Sequence, residues 1–324
     1  MRSVFVPMII LAASAALFAG DGPLGTDESQ GPRFLEHQLR QLPAQPYRSD
    51  IRIDVNMALV PVTVMDTMGH SVTGLGAENF RVFDGSEPRP IVTFGQQDAP
   101  IAIGLVFDCS RSMRDKFKTA RTAPEELFKM LNPDDESFLV TISDRAELRQ
   151  PLTSNFGDIG NALVFTHPEG TTSLIDGVAL GLNEVKRSNK PRKALVVVSD
   201  GGDNNSRYTM RELIQRAQEA DVQIFTIGLF QNPQTQEEAD GPALLTQFAQ
   251  VTGGVNFVIQ NPADLKVAMG KIGVTLHNQY VLGYYPPDGA PAGKYRKIKV
   301  QLMVPQGMPP LRIFARNGYY TPER

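Results

Sequence analysis

The chain has 324 residues, 41% of them hydrophobic and 21% charged, the make-up of a folded globular protein with room for one large or two ordinary domains. A formal net charge of -3 leaves no electrostatic case for nucleic acid or an anionic membrane surface as partner. The single cysteine, Cys109, excludes an internal disulfide, even in an oxidising compartment.

Residues 1–20 read as a secretory signal peptide. Arg2 precedes an apolar stretch from Val4 to Phe18, and small residues, Ala19-Gly20, come before Asp21. The apolar stretch is short for a comfortable membrane span, so cleavage after Ala16 or Ala19 is expected, with a retained anchor as the alternative. No cysteine follows it to carry a lipid, and no later stretch is apolar enough to cross a bilayer. The expectation is an exported protein that is periplasmic, cell-surface or secreted. Residues 21–50, rich in Gly, Pro, Gln and charge, read as a disordered linker.

From Ile51 the pattern becomes that of strands. Ile51, Ile53 and Val55 alternate with polar residues; Ala58–Met65, Phe80–Phe83 and Pro90–Phe94 follow, separated by turns at Asp66–His70 and Asp84-Gly85. Pro61 inside the second run argues for an edge strand or a bulge. Residues 51–98 therefore read as the first part of a small β-sandwich.

Residues 99–277 alternate strand and helix. Ile101–Phe107 is an apolar run of the kind buried on both faces of a sheet, and it breaks at Asp108. Lys116–Leu131 has helical spacing, Ser137–Ile142 is a strand and Glu147–Leu152 a short antiparallel edge. Leu174, Val178, Leu182 and Val185 mark a helix face, and Lys193–Ser199 is a second buried strand ending at Asp200. Thr209 caps a helix through Ala220. Val222–Leu229, a helix over Pro242–Val251, Val255–Ile259 and a helix over Pro262–Leu276 complete the series. Such alternation predicts an α/β fold with a mostly parallel, doubly wound sheet and helices on both faces.

Strands return at Tyr280–Tyr285, Tyr295–Leu302 and Leu311–Arg316, where basic and apolar residues alternate. Residues 278–320 are expected to join residues 51–98 in one discontinuous β-sandwich domain into which the α/β domain is inserted, leaving 321–324 as a tail.

The chemistry gathers just past two strands. In Asp108-Cys-Ser110-Arg-Ser112 a carboxylate and two hydroxyls fall at alternate positions and, in an extended segment, point the same way. That donor set suits a hard divalent cation such as magnesium. By itself it equally suits the cap of the next helix. Two further features bear on the choice: Gly170-Thr171-Thr172-Ser173-Leu174-Ile175-Asp176, a hydroxyl-bearing turn opening a helix, and Ser199-Asp200-Gly201 at the second strand's end. In an open α/β sheet, ligands sit outside the carboxyl ends of strands where strand order reverses.

Together these three stretches resemble the metal-ion-dependent adhesion site (MIDAS) of the von Willebrand factor type A family, over roughly residues 98–275. The wider arrangement resembles the bacterial secreted group of that family first noted in acidobacteria, through Tyr280–Tyr284, Tyr295–Ile298 and Ala315–Tyr319. The resemblance implies a Rossmann-like sheet and a metal held by Asp108, Ser110, Ser112, Thr172 and Asp200. Thr172 is preferred to Thr171 because Leu174 and Asp176 then fall in register. It further implies magnesium or manganese in preference to calcium, and a protein partner that offers an acidic side chain to the ion. Arg111, where the family often has Gly, places a cation beside the site or is a solvated loop residue. His167 and the Gly202–Asn205 loop would form the rim, and Cys109 packs beneath the loop.

Two other function classes compete with this binding role. A metal-assisted hydrolase lacks support: there is no H-E-x-x-H, G-x-S-x-G, P-loop or G-x-G-x-x-G, and no histidine at a base-like spacing. A metal-free scaffold, in which the acids only cap helices, predicts no response to cations.

Overall fold

Six strands form the sheet that carries the candidate site. The structure is a computed structural model that describes residues 57–97, 99–230, 236–287 and 293–321. The signal peptide, the linker, the strand at Ile51–Val55 and residues 322–324 lie outside the described residues. In chain order the described elements begin with β1 (Ala58–Met65), β2 (Phe80–Asp84), β3 (Glu87–Arg89), β4 (Thr93–Gln97) and β5 (Ile101–Asp108). Next come α1 (Arg114–Ala120), α2 (Pro124–Phe128), β6 (Glu136–Ile142), β7 (Ala146–Thr153), α3 (Gly157–Val164), α4 (Leu174–Val185) and β8 (Arg192–Ser199). They are followed by α5 (Met210–Ala220), β9 (Gln223–Leu229), α6 (Gln236–Thr252), β10 (Asn256–Ile259) and α7 (Leu265–His277). The chain closes with β11 (Gln279–Tyr284), β12 (Tyr295–Leu302), β13 (Arg312–Ala315) and β14 (Gly318–Tyr320).

The large sheet has the order β10-β9-β8-β5-β6-β7, parallel except for β7, which pairs antiparallel with β6. All eight residues of β5 are buried. Ile101, Ile103, Leu105 and Phe107 join one apolar core with α1, α2 and α7, while Ala102 and Val106 join the other with α4, α5 and α6. Burial on both faces is what the unbroken apolar run required. The chain leaves β5 toward β6 on one side and later returns to β8 on the other. Asp108 and Asp200 therefore flank the point where strand order reverses.

Strands from both flanks build two four-stranded sheets, β13-β1-β11-β4 and β14-β12-β2-β3, which share one core. Val60, Val62 and Val64 of β1, Phe80 and Val82 of β2, Tyr280 and Tyr284 of β11 and Ile298 of β12 meet there. The α/β part is thus inserted in a small sandwich made by residues on either side of it. Asp84 is buried within that sandwich. It accepts from Arg296 Nε (2.8 Å), Tyr284 (3.1 Å) and Tyr319 (3.2 Å), and so ties β2, β12, β11 and β14 together.

Several expectations are corrected. The helix expected over Lys116–Leu131 is two short helices, because Pro124 lacks an N–H and cannot continue the first; it starts α2 instead. The helix at Gly157–Val164 and the three-residue strands β3 and β14 were not expected. The last strand of the first flank, β4, runs over Thr93–Gln97 rather than Pro90–Phe94. Helix α6 begins six residues before Pro242. Strand β1 is internal, not an edge. Pro61 is tolerated because β13 pairs only with Val62–Met65, so no neighbour needs its missing donor on that side.

Candidate metal centre

Asp108 ends β5 with its side chain fully buried. One carboxylate oxygen accepts the Ser110 backbone N–H at 2.8 Å, and the other accepts the Ser199 hydroxyl at 2.5 Å. Ser199 is the last residue of β8, so this bond ties the ends of the two strands together. The Ser110 and Ser112 hydroxyls lie 3.0 Å apart, as side chains two residues apart in the turn after β5. Ser110 is buried and Ser112 exposed, so the hydroxyl pair leads from the crevice floor to its mouth.

Asp200 is 2% exposed. Its Oδ2 pairs with the Lys116 ammonium at 3.2 Å, while its Oδ1 is buried with no hydrogen-bond partner. Burial, and after it the charge of Asp200, push the Asp108 carboxyl up to about 7. Two buried carboxylates therefore repel each other beside one acceptor that is unpaired among the described residues. An added cation would relieve both penalties.

The turn that carries Thr172 is wedged between these two strand ends. The Gly170 carbonyl accepts the N–H of Arg111, between the two serines, at 3.1 Å. The Thr172 carbonyl accepts the N–H groups of Asn204 (3.1 Å) and Asn205 (3.2 Å), and its own N–H donates to Asn204 Oδ1 at 3.0 Å. Thr172 is thereby fixed against both the serine turn and the loop that follows Asp200. Thr171 turns elsewhere: its N–H and hydroxyl both donate to Asp144 Oδ1 at 2.7 Å. Gly170 has φ +79°, and a Cβ there would lie 2.6 Å from the Asp144 carboxylate, so the turn needs glycine twice over. Gly201, at φ +89°, lies against the backbone of Gly241 in the same way and brings α6 close behind Asp200.

Asp176 is committed to the loop after Asp200. It accepts the N–H groups of Arg207 and Tyr208 at 3.0 and 3.1 Å and pairs with Arg207 Nε, bracing the loop after Asp200. Asp203 accepts the Leu174 N–H at 3.0 Å, placing a carboxylate at the start of α4. His167 and Arg111 are exposed, and Cys109 is buried beneath the turn.

Sequence reasoning missed Lys116 and Asp144, and had Asn204 only as part of the rim loop, without its bonds to Thr172. Lys116 stands four residues beyond Ser112, one helical turn on, and that spacing was the available signal. The other two act only across the fold. Among the described residues no cluster of three or more His, Cys, Asp or Glu forms a metal-binding group. The set at Asp108 and Asp200 is instead two carboxylates completed by neutral hydroxyls. All are hard oxygen donors, which fit magnesium or manganese and do not favour a soft metal.

The family model for the von Willebrand factor type A domain matches residues 102–270. Comparison with the curated proteins found no match. Among solved structures, a von Willebrand factor type A protein from Catenulispora acidiphila is similar with TM-score 0.50 and 15% identity, covering 74% of this chain and 65% of that one. The likeness lies in the fold. Two others are similar at lower scores. The vWF domain of the type V pili tip protein Mfa5 from Porphyromonas gingivalis has TM-score 0.45 and 14% identity, covering 56% of this chain and 96% of that one. Proximal thread matrix protein 1 from the mussel byssus, with a zinc-occupied MIDAS motif, has TM-score 0.48 and 21% identity, covering 58% and 48%.

Proposed function

Because the chain belongs to the von Willebrand factor type A family, matched over more than half of its residues, we propose that it is an exported protein that binds a protein partner through a divalent cation. Asp108, Ser110, Ser112, Thr172 and Asp200 would hold the ion, magnesium or manganese, at the carboxyl ends of β5 and β8. Once bound, the ion supplies an electrophilic position that an acidic side chain of the partner completes. We take residues 99–277 as the binding domain and residues 51–98 with 278–320 as its mount.

The observation that carries this reading is Asp200 Oδ1, a buried acceptor without a hydrogen-bond partner among the described residues, placed beside a second buried carboxylate. Leaving such a group unpaired costs about 1–3 kcal/mol, and more when it is charged. Each oxygen of Asp108 already accepts one hydrogen bond, from Ser110 or Ser199, so besides its share in holding the ion this side chain orients the serine turn. The two hydroxyls add donors without adding charge. A bound divalent ion then keeps the positive character that attracts a carboxylate. Binding, rather than catalysis, suits a site whose side chains are acids, hydroxyls and a committed ammonium, with no base held against a substrate position. Export rests on the apolar start of the chain; among the described residues no helix is long and apolar enough to cross a membrane.

One observation favours a second reading. Lys116 neutralises Asp200 from within the chain, as a metal-free scaffold would require. Thermal melts in chelator, magnesium and manganese separate the two. An ion at a hundredfold excess over its dissociation constant should add about 2.7 kcal/mol of stability. The proposal expects that shift in the native chain and its loss in Asp108→Ala. An equal shift in both, or none in the native chain with or without an acidic peptide, would overturn it.

A further inference from the structure

We propose that Lys116 is the charge regulator of this site: its built-in ammonium weakens the hold on a bare divalent cation and keeps the loaded site attractive to an anionic partner. The inference rests on the metal-binding reading above and deepens it.

The geometry is specific. Ser112 lies in the short turn that leads into α1, and Lys116 follows one helical turn later, beside the buried Met113 and Phe117. This carries Nζ back over the crevice, 3.2 Å from Asp200 Oδ2 and 3.2 Å from the carbonyl of Leu229 at the end of β9. The two side chains are 12% and 3% exposed, so solvent does little to screen the pair. A lysine on a surface helix ordinarily extends its ammonium into water. Here it turns inward and is held by a carboxylate and a carbonyl from neighbouring strand ends.

The charge count gives the consequence. With both carboxylates ionised, as a bound divalent ion favours, they leave a single net negative charge against one ammonium, and the ion turns that into a single net positive one. Without the ammonium the loaded site would be formally neutral and would have little pull on a carboxylate. The ammonium also repels the incoming ion and engages one oxygen of Asp200, leaving Oδ1 as the free donor. Tight metal binding is thereby exchanged for partner dependence. Arg111, Asp144 and Asp203 also bear charge near the crevice, but all remain when Lys116 alone is replaced.

The test uses the full chain and manganese alone, titrated by the electron-paramagnetic-resonance signal of the free ion. Lys116→Met keeps the unbranched, buried stem and removes the charge; Lys116→Arg keeps the charge. The expected result is that Lys116→Met binds manganese about tenfold more tightly than the native chain, or more, since an unscreened like charge is removed at short range. Lys116→Arg should stay near the native value. Acetate, as a stand-in for a partner carboxylate, should tighten manganese binding in the native chain more than in Lys116→Met. Native binding that is abolished by Asp108→Ala but equal or weaker in a folded Lys116→Met would overturn the regulator role and leave the metal site standing. Binding by Lys116→Met alone would support the role. Binding by neither protein would overturn both readings. If Lys116→Met loses its native circular dichroism, Lys116→Gln takes its place in the same comparison.

Discussion

Replacing Asp84 by alanine should be among the most damaging single changes outside the crevice. Its carboxylate is shielded from solvent and accepts from Arg296, Tyr284 and Tyr319, which reach it from three other strands of the two small sheets. Removing it strands a partly buried guanidinium, 23% exposed, and takes the shared acceptor from two tyrosine hydroxyls that also bond each other. Breaking a buried ion pair from one side costs about 3–5 kcal/mol, because the remaining charge has lost both water and its partner. Asp84→Asn keeps the size and one acceptor and should cost about 2 kcal/mol, while Tyr284→Phe removes one hydrogen bond to a charged group and should cost about 1.5–3 kcal/mol. Guanidinium unfolding followed by far-ultraviolet circular dichroism reads all three. Residues 55–324 form one compact unit, so the loss should register as a shift of its transition. A cost below about 1 kcal/mol for Asp84→Ala, the range of ordinary surface substitutions, would refute the reasoning.

Two further outcomes follow from the buried groups around the crevice. Cys109 is buried, and both its burial and the neighbouring Asp108 push its thiol well above the ordinary range, so an aromatic disulfide reagent at pH 8 should leave it untouched until the chain unfolds; stoichiometric labelling of the native protein would contradict this. Asp108 has a folded-state pKa raised above its unfolded value, so the native state binds the proton more tightly. In chelator its contribution favours folding most below about pH 4 and is lost as pH rises towards 7. Melting temperatures of the native chain and Asp108→Asn should diverge over that window, with the variant gaining relative stability as pH rises, and parallel curves would count against the burial argument.

The parts of the fold that could be read from the sequence are those whose signal is local. Ile101–Asp108 announces a strand buried on both faces because nearly every residue is apolar until a carboxylate ends it. Thr209 and Glu212 announce a helix start because the reciprocal capping bonds need only three residues of spacing. The break at Pro124 had its own local signal, and the helical periodicity on either side of it obscured that signal. Helix α3 was hidden by Gly157 and Gly160, poor helix formers that tertiary packing of Ile159 and Leu163 overrides. Strands β3 and β14 are three residues long and owe their extended form to β2 and β12 beside them. At the crevice, the positions of Asp108, Ser110, Ser112 and Asp200 were legible because each lies at a strand end. The register of Leu174 and Asp176 favours Thr172 over Thr171 from the sequence, but the bonds that turn Thr171 to Asp144, and the pairing of Asp200 with Lys116, were not legible. Both contacts join residues far apart in the chain, and no spacing rule reports them.

The β4–β11 ladder has a mechanical consequence. Gln97 is the last residue of β4 and Gln279 the first of β11, and these two residues are paired across the sheet. The chain thus enters and leaves the α/β part at two adjacent points on one ladder. A stretching load applied through the small sheets would cross from β4 to β11 by their hydrogen bonds and bypass the 181 residues between those two points. The crevice between the ends of β5 and β8 would be shielded from that load until the clasp tore.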